Sequence, residues 1–249
     1  MTKPRMAERH IVVCGGGSGI GRATALMCAR EGAMVTVVGR RRALVEDVAR
    51  EAGGYALSYD MADETQAFQA VNEAAAQMGE IDGLVNTIGG GDYASLEDID
   101  MAYWERSFRN NLVPHYLACR AALPHLRKAT NASIVNVAAL AAIMPGVASA
   151  PYAAAKAGVV QFTKMIAVQL APTIRANSVS PGAVRTQRMI DGFLANKSEE
   201  QIAAFVGRYA CNRLAEPDEV ASLILFLLSS EASYLTGCNY IADGGRSYR

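Results

Sequence analysis

The sequence has no excess of charge of either sign, and this limits the partners that it can recognise. Lysine and arginine together number 24, aspartate and glutamate also number 24, and only three histidines are present. A chain without net charge has no long-range field that attracts nucleic acid or an anionic membrane. We therefore expect recognition by charge to be local, a small-molecule substrate, and no nucleic-acid or membrane partner.

The patterns of a metal centre, a disulfide framework and a membrane span are also missing. The five cysteines form no CxxC pair and have no metal-ligand spacing with the histidines. No apolar segment near the start resembles a signal-peptide core, and the longest apolar run, Val220–Leu228, is too short to cross a bilayer. We expect free thiols, no metal and a cytoplasmic location.

Strand-length apolar runs alternate with helix-length amphipathic segments along the whole chain. The predicted strands are His10–Cys14, Ala33–Val38, Tyr55–Ser58, Gly83–Asn86, Ser133–Ala138, Arg175–Val179 and Asn239–Ala242, and the predicted helices cover 20–31, 41–52, 63–78, 95–128, 151–171 and 217–230. Such alternation requires right-handed crossovers and a parallel sheet that is covered on both faces. No linker divides the chain, so we expect an α/β protein with one domain over 1–249, a doubly wound Rossmann fold with a seven-stranded parallel sheet.

Only the segment 187–215 breaks this alternation. It has helical pieces around Ile190–Leu194 and Glu199–Tyr209 but no strand, and it follows the sixth predicted strand. Ligands of doubly wound folds bind beyond the carboxyl ends of the strands. We therefore predict that 187–215 is a lid or a wall of the substrate site.

A glycine-rich loop, Cys14-Gly-Gly-Gly-Ser-Gly-Ile-Gly21, follows the first predicted strand and opens a helix. Glycines permit positive φ angles and a close approach of the backbone to a ligand. At this position backbone N–H groups and the helix dipole favour a pyrophosphate, so the loop predicts a dinucleotide site.

The second predicted strand ends in Val38-Gly39-Arg40-Arg41-Arg42, with no acidic residue to bond the ribose 2′-hydroxyl of NAD. Three arginines at a helix start oppose the helix dipole unless a phosphate neutralises them. They favour NADP(H) over NAD(H), with Arg40 as the best candidate for the 2′-phosphate. An ordinary solvated run of charge is the alternative.

Tyr152-Ala-Ala-Ala-Lys156 places a phenol and an ammonium one helical turn apart on the same face of a helix. Tyrosine titrates near ~10. A lysine held nearby, together with the charge of a bound nicotinamide, would favour the phenolate and make Tyr152 a usable proton donor or acceptor.

In these motifs the chain resembles the short-chain dehydrogenase/reductase family, and the resemblance covers nearly its whole length. The segments that carry it are Gly15–Gly21, Asp60, Asn86-Thr-Ile-Gly89, Asn111, Tyr152 with Lys156, Pro181-Gly182 with Thr186, Arg213–Pro217 and Asp243–Gly245. Asn86-Thr-Ile-Gly89 departs from the family pattern at two positions. The resemblance implies that Asn111 positions a proton-relay water, Asp60 contacts adenine and Pro181, Gly182 and Thr186 seat the carboxamide.

Together with the arginines, the resemblance implies a full set of site residues. The catalytic positions are Asn111, Ala139, Tyr152 and Lys156. The cofactor contacts are Gly15, Gly17, Ser18, Gly19, Ile20, Gly21, Arg40, Arg41, Asp60, Met61, Asn86, Gly89, Tyr152, Lys156, Pro181, Gly182, Val184 and Thr186.

Position 139 departs from the family pattern most. The family has a catalytic serine thirteen residues before the tyrosine, where this chain has Ala139. Loss of one oxyanion donor typically costs about 10²–10³ in rate. Three explanations stay open: a chain deliberately inactivated to trap a complex, a different hydroxyl such as Ser149 or Tyr93, or a substrate that supplies its own polarisation.

Two smaller features carry alternatives. The small residues beside Tyr152 predict either close packing on the chain's own sheet or, as the resemblance implies, a subunit interface of a homotetramer or homodimer. The run Gly89-Gly-Gly91-Asp92 is either a wall poor in side chains that admits a bulky ring or a plain turn.

The sequence therefore predicts an NADP(H)-dependent oxidoreductase, a ketoreductase that moves a hydride between nicotinamide and a ketone or secondary alcohol. One alternative is an enzyme of this fold that runs a non-redox reaction such as dehydration, isomerisation or cyclisation. Another is a non-catalytic cofactor-binding scaffold or sensor.

Overall fold

A computed structural model describes residues 4–91 and 93–248 of the chain. Its strands are β1 (His10–Cys14), β2 (Met34–Val38), β3 (Tyr55–Leu57), β4 (Gly83–Asn86), β5 (Ala132–Val137), β6 (Ile174–Pro181) and β7 (Asn239–Ala242). Its helices are α1 (Gly19–Arg30), α2 (Arg42–Ala52), α3 (Glu64–Met78), α4 (Met101–Asn111), α5 (Val113–Leu126), α6 (Ala150–Leu170), α7 (Glu199–Val206) and α8 (Pro217–Leu228). The seven predicted strands are confirmed, and β6 continues two residues further than predicted, to Pro181.

All seven strands pair in parallel, in the order β3-β2-β1-β4-β5-β6-β7. The predicted doubly wound Rossmann fold is confirmed. Because the strand order reverses between β1 and β4, a crevice opens beyond their carboxyl ends, which is where ligands of such folds bind. Every loop to which we assigned cofactor or catalytic residues leaves a strand at this edge.

Two apolar layers cover the sheet. On one face α3, α5 and part of α6 bury a cluster that includes Val71, Leu117 and Ile134. On the other face α1, α2 and α8 bury Leu26, Val48 and Leu225 against the alternate residues of the same strands. With both faces buried, the strands are continuous apolar runs rather than alternating ones.

The predicted helix over 95–128 is wrong, because the chain divides at Leu112 into α4 and α5. Pro114 lies in the first turn of α5 and has no N–H to continue the hydrogen-bond ladder of α4. The N–H of His115 donates to Leu112 at 3.1 Å rather than to Asn111. The backbone carbonyl of Asn111 therefore lacks its usual helical donor.

The segment 187–215 is helical without a regular strand, as predicted. It consists of a π-helical turn at Met189–Leu194 and the helix α7, and the two backbone partners Val184 and Ala215 close it at its base. No helix in the described ranges has the length and apolarity needed to cross a bilayer. The predicted cytoplasmic location stays a prediction.

Candidate active site

The loop between β1 and α1 can be built only with glycine at three of its positions. Gly15 has a φ of +84° and Gly19 a φ of +54°, both in the left-handed region. A Cβ on Gly21 would lie 2.3 Å from the carbonyl oxygen of Gly15, and one on Gly19 would lie 2.9 Å from Cγ2 of Thr186. The loop is therefore folded tightly against the start of α1.

This loop fits the pyrophosphate of a dinucleotide. Ser18 is the N-cap of α1, yet its side chain makes no capping bond, and the first turn of the helix holds no acidic residue. The N-terminal N–H groups and the positive end of the helix dipole thus stay available for an anion. Gly17 packs its Cα near Leu44 and Val45, while Ile20 lines the adjoining cavity.

The three arginines after β2 differ in their surroundings. Arg42 pairs with Glu46 at 3.7 Å, one turn along α2. Arg41 donates from Nη2 to Oγ of Ser18 at 2.8 Å, which brings its guanidinium to the glycine loop. Arg40 is exposed, and its guanidinium makes no hydrogen bond or ion pair within the described residues. Arg40 and Arg41 are therefore the two that remain available to a phosphate.

The loop after β3 lies beside these arginines. One carboxylate oxygen of Asp60 accepts from the N–H of Ala62 at 3.0 Å, and the N–H of Asp60 donates to Oε1 of Gln66 at 2.9 Å. Met61 is buried beneath this turn. The turn is held rigidly at the carboxyl edge of the sheet, and the second oxygen of Asp60 is left to other partners.

Asn86 faces the protein core rather than the crevice. Its Nδ2 donates to Oδ1 of Asn136 at 2.8 Å and contacts Sγ of Cys119 at 3.7 Å, and the side chain is fully buried. Asn86 can therefore contact a cofactor only through its backbone. Its side chain instead joins β4 to β5 below the site.

Lys156 is buried at the junction of β4 and β5. Its Nζ donates to the carbonyls of Ile88 and Val137, both at 3.0 Å, and only 2% of the residue is exposed. Gly89, with a φ of +130°, leaves room for it: a Cβ there would lie 2.9 Å from this Nζ and 2.6 Å from Oδ1 of Asn111. Lys156 and Asn111 therefore meet across Gly89.

Asn111, the last residue of α4, contacts the loop after β4 through its side chain. Its Oδ1 accepts from the N–H of Gly90 at 2.7 Å, and its Nδ2 donates to the carbonyl of Ser107 at 2.9 Å. The side chain is thus fully engaged in fixing the loop after β4. The backbone carbonyl of Asn111, in contrast, has lost its helical donor at the break between α4 and α5.

Gly90 and Gly91 are required by two further side chains. A Cβ on Gly91 would lie 2.8 Å from ring atoms of Tyr152, and one on Gly90 would overlap the guanidinium of Arg188. Arg188 also donates from Nη2 to the carbonyl of Gly91 at 2.9 Å. The glycine run is therefore a packing surface for functional side chains rather than a plain turn. Asp92, which follows it in the sequence, lies outside the described residues.

Burial dominates the electrostatics of the pair on α6. It raises the pKa of Tyr152 to about 12, and the positive charge of Arg188 acts in the opposite direction. Burial also lowers the pKa of Lys156 to about 7. Arg188 thus favours the Tyr152 phenolate, a role that we predicted for Lys156 together with a bound nicotinamide. Arg188 lies in the segment 187–215, and no motif near it in the sequence predicts that it approaches Tyr152.

Ala139 lies in extended backbone with φ −166° and ψ 162°, and it lines the cavity that Tyr152 faces. Its methyl group offers no hydrogen bond. Of the two hydroxyls suggested as replacements, Ser149 is buried at the N-cap of α6 and does not line the cavity. Tyr93 does line it and is 80% exposed.

A cavity of about 900 Å³ joins these groups at the carboxyl ends of the central strands. Four predicted cofactor contacts from the loop after β6, Pro181, Gly182, Val184 and Thr186, line it beside Tyr152 and Lys156. The outer wall comes from the segment 187–215 and the chain end, with Arg188, Met189, Gly192, Phe193, Phe205, Arg208, Tyr209 and Arg246. The structure thus brings Ala139, Tyr152, Lys156 and one end of the predicted cofactor site to one cavity, and Asn111 contacts its wall at Gly90.

Comparison with known proteins extends this description. A family model described as enoyl-(acyl carrier protein) reductase matches residues 15–247. The 2-keto-3-deoxy-L-fuconate dehydrogenase of Xanthomonas campestris is 33% identical over 247 residues, which are 98% of this chain and 81% of that protein. The cis-4-hydroxycyclohexanecarboxylate dehydrogenase of Sinomonas cyclohexanicum is 38% identical over 246 residues and 96% of each chain.

A solved structure shows the same architecture. The ligand-free aldohexose dehydrogenase of Thermoplasma acidophilum superposes with a TM-score of 0.91 at 29% identity, over 100% of this chain and 97% of the other. This chain thus shares its fold with that dehydrogenase over nearly the whole length of both chains.

Burial of Lys156 predicts a pH-dependent stability. Its pKa falls from 10.5 to about 7 on folding. Between these values the unfolded chain binds a proton that the folded chain does not, so the free-energy cost of burying Lys156 decreases as the pH rises. Relative to Lys156→Met, we expect the parent's free energy of unfolding to rise by about 1 kcal/mol per pH unit between pH ~7.5 and ~9. Urea denaturation measures this difference.

Lys164→Met is the matched control, because Lys164 lies on the same helix and is exposed. Its stability curve should run parallel to that of the parent. If Lys156→Met also runs parallel, Lys156 is fully charged in the folded state and the assignment is wrong.

Proposed function

Since the chain belongs to the short-chain dehydrogenase/reductase family, we propose that it is an NADP(H)-dependent oxidoreductase acting on a ketone or the corresponding secondary alcohol. The observation that carries this proposal is that Tyr152 and Lys156 line one cavity, that Asn111 is bonded to Gly90 of the same wall, and that the glycine loop lies at the same edge of the sheet. A nicotinamide bound there would supply or accept the hydride.

Tyr152 is the proton-transfer group of the proposed reaction. In reduction its hydroxyl donates a proton to the carbonyl oxygen of the substrate, and in oxidation its phenolate takes the proton of the alcohol. With a pKa raised to about 12 by burial, Tyr152 is mostly protonated at neutral pH, which suits the reductive direction. Arg188 moderates this shift through its charge.

Lys156 and Asn111 support this transfer. Lys156 has one turn of α6 between it and Tyr152, and its two carbonyl partners hold its ammonium below the cavity floor. The freed carbonyl of Asn111 is a ready acceptor for the relay water that the family resemblance implies. The glycine loop binds the pyrophosphate, and the residues from Pro181 to Thr186 border the nicotinamide end.

The preference for NADP(H) is supported by charge. Arg40 and Arg41 follow β2 without any acidic residue in the first turn of α2. Arg41 already reaches the glycine loop through Ser18. A ribose 2′-phosphate would neutralise two like charges that otherwise oppose the dipole of α2.

The substrate end supports a mainly apolar, ring-sized substrate. Phe193 and Phe205 pack in the wall with their ring centroids 4.6 Å apart and their planes tilted by 51°, and Val137, Ala138 and Val147 also line the cavity. One relative is a hydroxycyclohexanecarboxylate dehydrogenase, so cyclic ketones are suitable first substrates.

We also propose that the chain assembles as a homotetramer or homodimer through α5 and α6. Tyr116 and Phe162 pack edge to face at 6.3 Å and continue a surface on which Met165 and Val168 are 52% and 79% exposed. Exposed apolar side chains grouped in this way mark an interaction surface.

Val168→Asp should weaken this assembly, because it buries a charge in the proposed interface without a partner. We expect sedimentation equilibrium to show the parent as an oligomer and Val168→Asp shifted toward the monomer. Met34→Asp, at an exposed apolar residue of β2, should leave the assembly intact. A monomeric parent at micromolar concentration would refute the proposal.

Ala139→Ser should increase the rate of ketone reduction by about 10²-fold, because it restores an oxyanion donor to the cavity wall. The measurement is NADPH consumption by the parent and the variant across a panel of cyclic ketones. No change, or a loss, would instead indicate a donor already present, for which Tyr93→Phe is the next variant. If neither form consumes NADPH with any ketone, the oxidoreductase proposal is abandoned.

Arg40→Asp should weaken NADPH binding by about 10- to 100-fold, since bonds to charged groups contribute about 1.5–3 kcal/mol. NADH binding should change little, because NADH has no 2′-phosphate. Arg42→Asp is the matched control, as Arg42 pairs with Glu46. Titration of protein fluorescence measures both affinities. An equal effect of Arg40→Asp on both cofactors would remove the phosphate assignment.

A further inference from the structure

The cavity wall has charges of only one sign. Among its described lining residues are the cations Lys156, Arg188, Arg208 and Arg246, and none is aspartate or glutamate. The whole chain, in contrast, has 24 basic and 24 acidic residues. Because Lys156 is committed to two backbone carbonyls, the positive charge that faces the interior comes from the arginines.

Arginines just outside the cavity behave differently from those that line it. Arg185 pairs with Glu216 at 2.9 Å, and Arg213 pairs with Glu219 at 2.6 Å. Arg188 and Arg208 form no ion pair with any described residue, although they belong to the same part of the chain. Glu216 and Glu219 are thus paired with neighbouring arginines and form no ion pair with Arg188 or Arg208.

Arg188 is held in a defined position beside the reacting group. Its Nη2 donates to the carbonyl of Gly91 at 2.9 Å, and its guanidinium occupies the space that a side chain on Gly90 would need. Gly91 in turn contacts the ring of Tyr152. A guanidinium has five N–H donors. The single bond to Gly91 fixes the group and leaves most of its donors for a ligand.

These arginines are distinct from the predicted phosphate site of the cofactor. Arg40 and Arg41 follow β2, whereas Arg188 and Arg208 follow β6, four strands away in the sheet. With neighbouring strands about 4.8 Å apart, the ends of β2 and β6 are roughly 19 Å apart along the sheet edge, and Arg188 reaches back to Gly91 beside Tyr152. A ligand of Arg188 and Arg208 therefore lies at the substrate end.

We propose that the substrate of this site carries an oxyanion, a carboxylate or a phosphate, which Arg188 and Arg208 bind while Tyr152 faces the carbonyl. This inference rests on the proposed function and adds the substrate class to it. Guanidinium groups match both oxyanions with two parallel hydrogen bonds.

The direct test compares ketones that differ only in charge. The pair is 4-oxocyclohexanecarboxylate and 4-oxocyclohexanecarboxamide, and the quantity is the ratio of their kcat/KM values with NADPH in the Ala139→Ser background. We expect a ratio of about 100 in favour of the acid, with a factor of about 10 from each of the two charge-assisted contacts. A ratio near one would overturn the proposal.

Substitutions of individual arginines test which of them cause the preference for the acid. Arg188→Gln and Arg208→Gln should each lower the ratio by about 10-fold, and Arg188→Lys should retain part of it because the charge remains. Arg185→Gln is the matched control, since Arg185 is paired with Glu216, and it should leave the ratio unchanged. A ratio that survives both glutamine variants would contradict the assignment.

A binding measurement separates this inference from the proposed function. Calorimetry with cyclohexanecarboxylate and cyclohexanecarboxamide needs no turnover, and the acid should bind more tightly to the parent than to Arg188→Gln. Binding of this kind without NADPH consumption supports the oxyanion site and refutes the oxidoreductase. NADPH consumption without any preference for the acid supports the oxidoreductase and refutes the oxyanion site. Competition by acetate or by inorganic phosphate then tells the two oxyanions apart, and competition by neither overturns the proposal.

Discussion

The burial of the Lys156 ammonium between the ends of β4 and β5 is the constraint on which the rest of the site depends. A cation taken out of water needs close partners, and the carbonyls of Ile88 and Val137 provide them at 3.0 Å. Val137 is the last residue of β5 and Ile88 lies two residues beyond the end of β4, so the pairing of these adjacent strands brings the two carbonyls together. Tyr152, one turn away on the same helix, is positioned by the same contacts.

The glycines after β4 follow from this constraint. With Lys156 and Asn111 filling the space at Gly89, Arg188 covering Gly90 and Tyr152 against Gly91, a side chain at any of the three positions would displace a functional group. The three consecutive glycines are therefore needed because four side chains from three separate segments closely approach this one loop. Glycine is required at these positions because the space is filled by other side chains, and not because the loop must be flexible.

Most of the fold could be predicted from the sequence, because a parallel sheet buried on both faces produces short, separate apolar runs. The limits of α1, α3 and α8 agree with the predicted ones within two residues. The helix predicted over 95–128 failed for a local reason: the apolar periodicity continues through Pro114, although the hydrogen-bond ladder cannot. That break also leaves the Asn111 carbonyl without its helical hydrogen bond, so the wrong prediction of one helix over 95–128 hid this acceptor of the site.

The sequence by itself determined the class of fold, the glycine loop, the arginines after β2, the Tyr152–Lys156 pair and the absence of a hydroxyl at Ala139. Each of these is a local pattern, fixed by residue type and spacing. The tertiary structure alone decided that Asn86 faces the core, that Ser149 is buried and does not line the cavity, and that Arg188 approaches Tyr152. The reason is distance along the chain: Arg188 meets Gly91 across 97 positions, a contact that no periodicity or motif encodes.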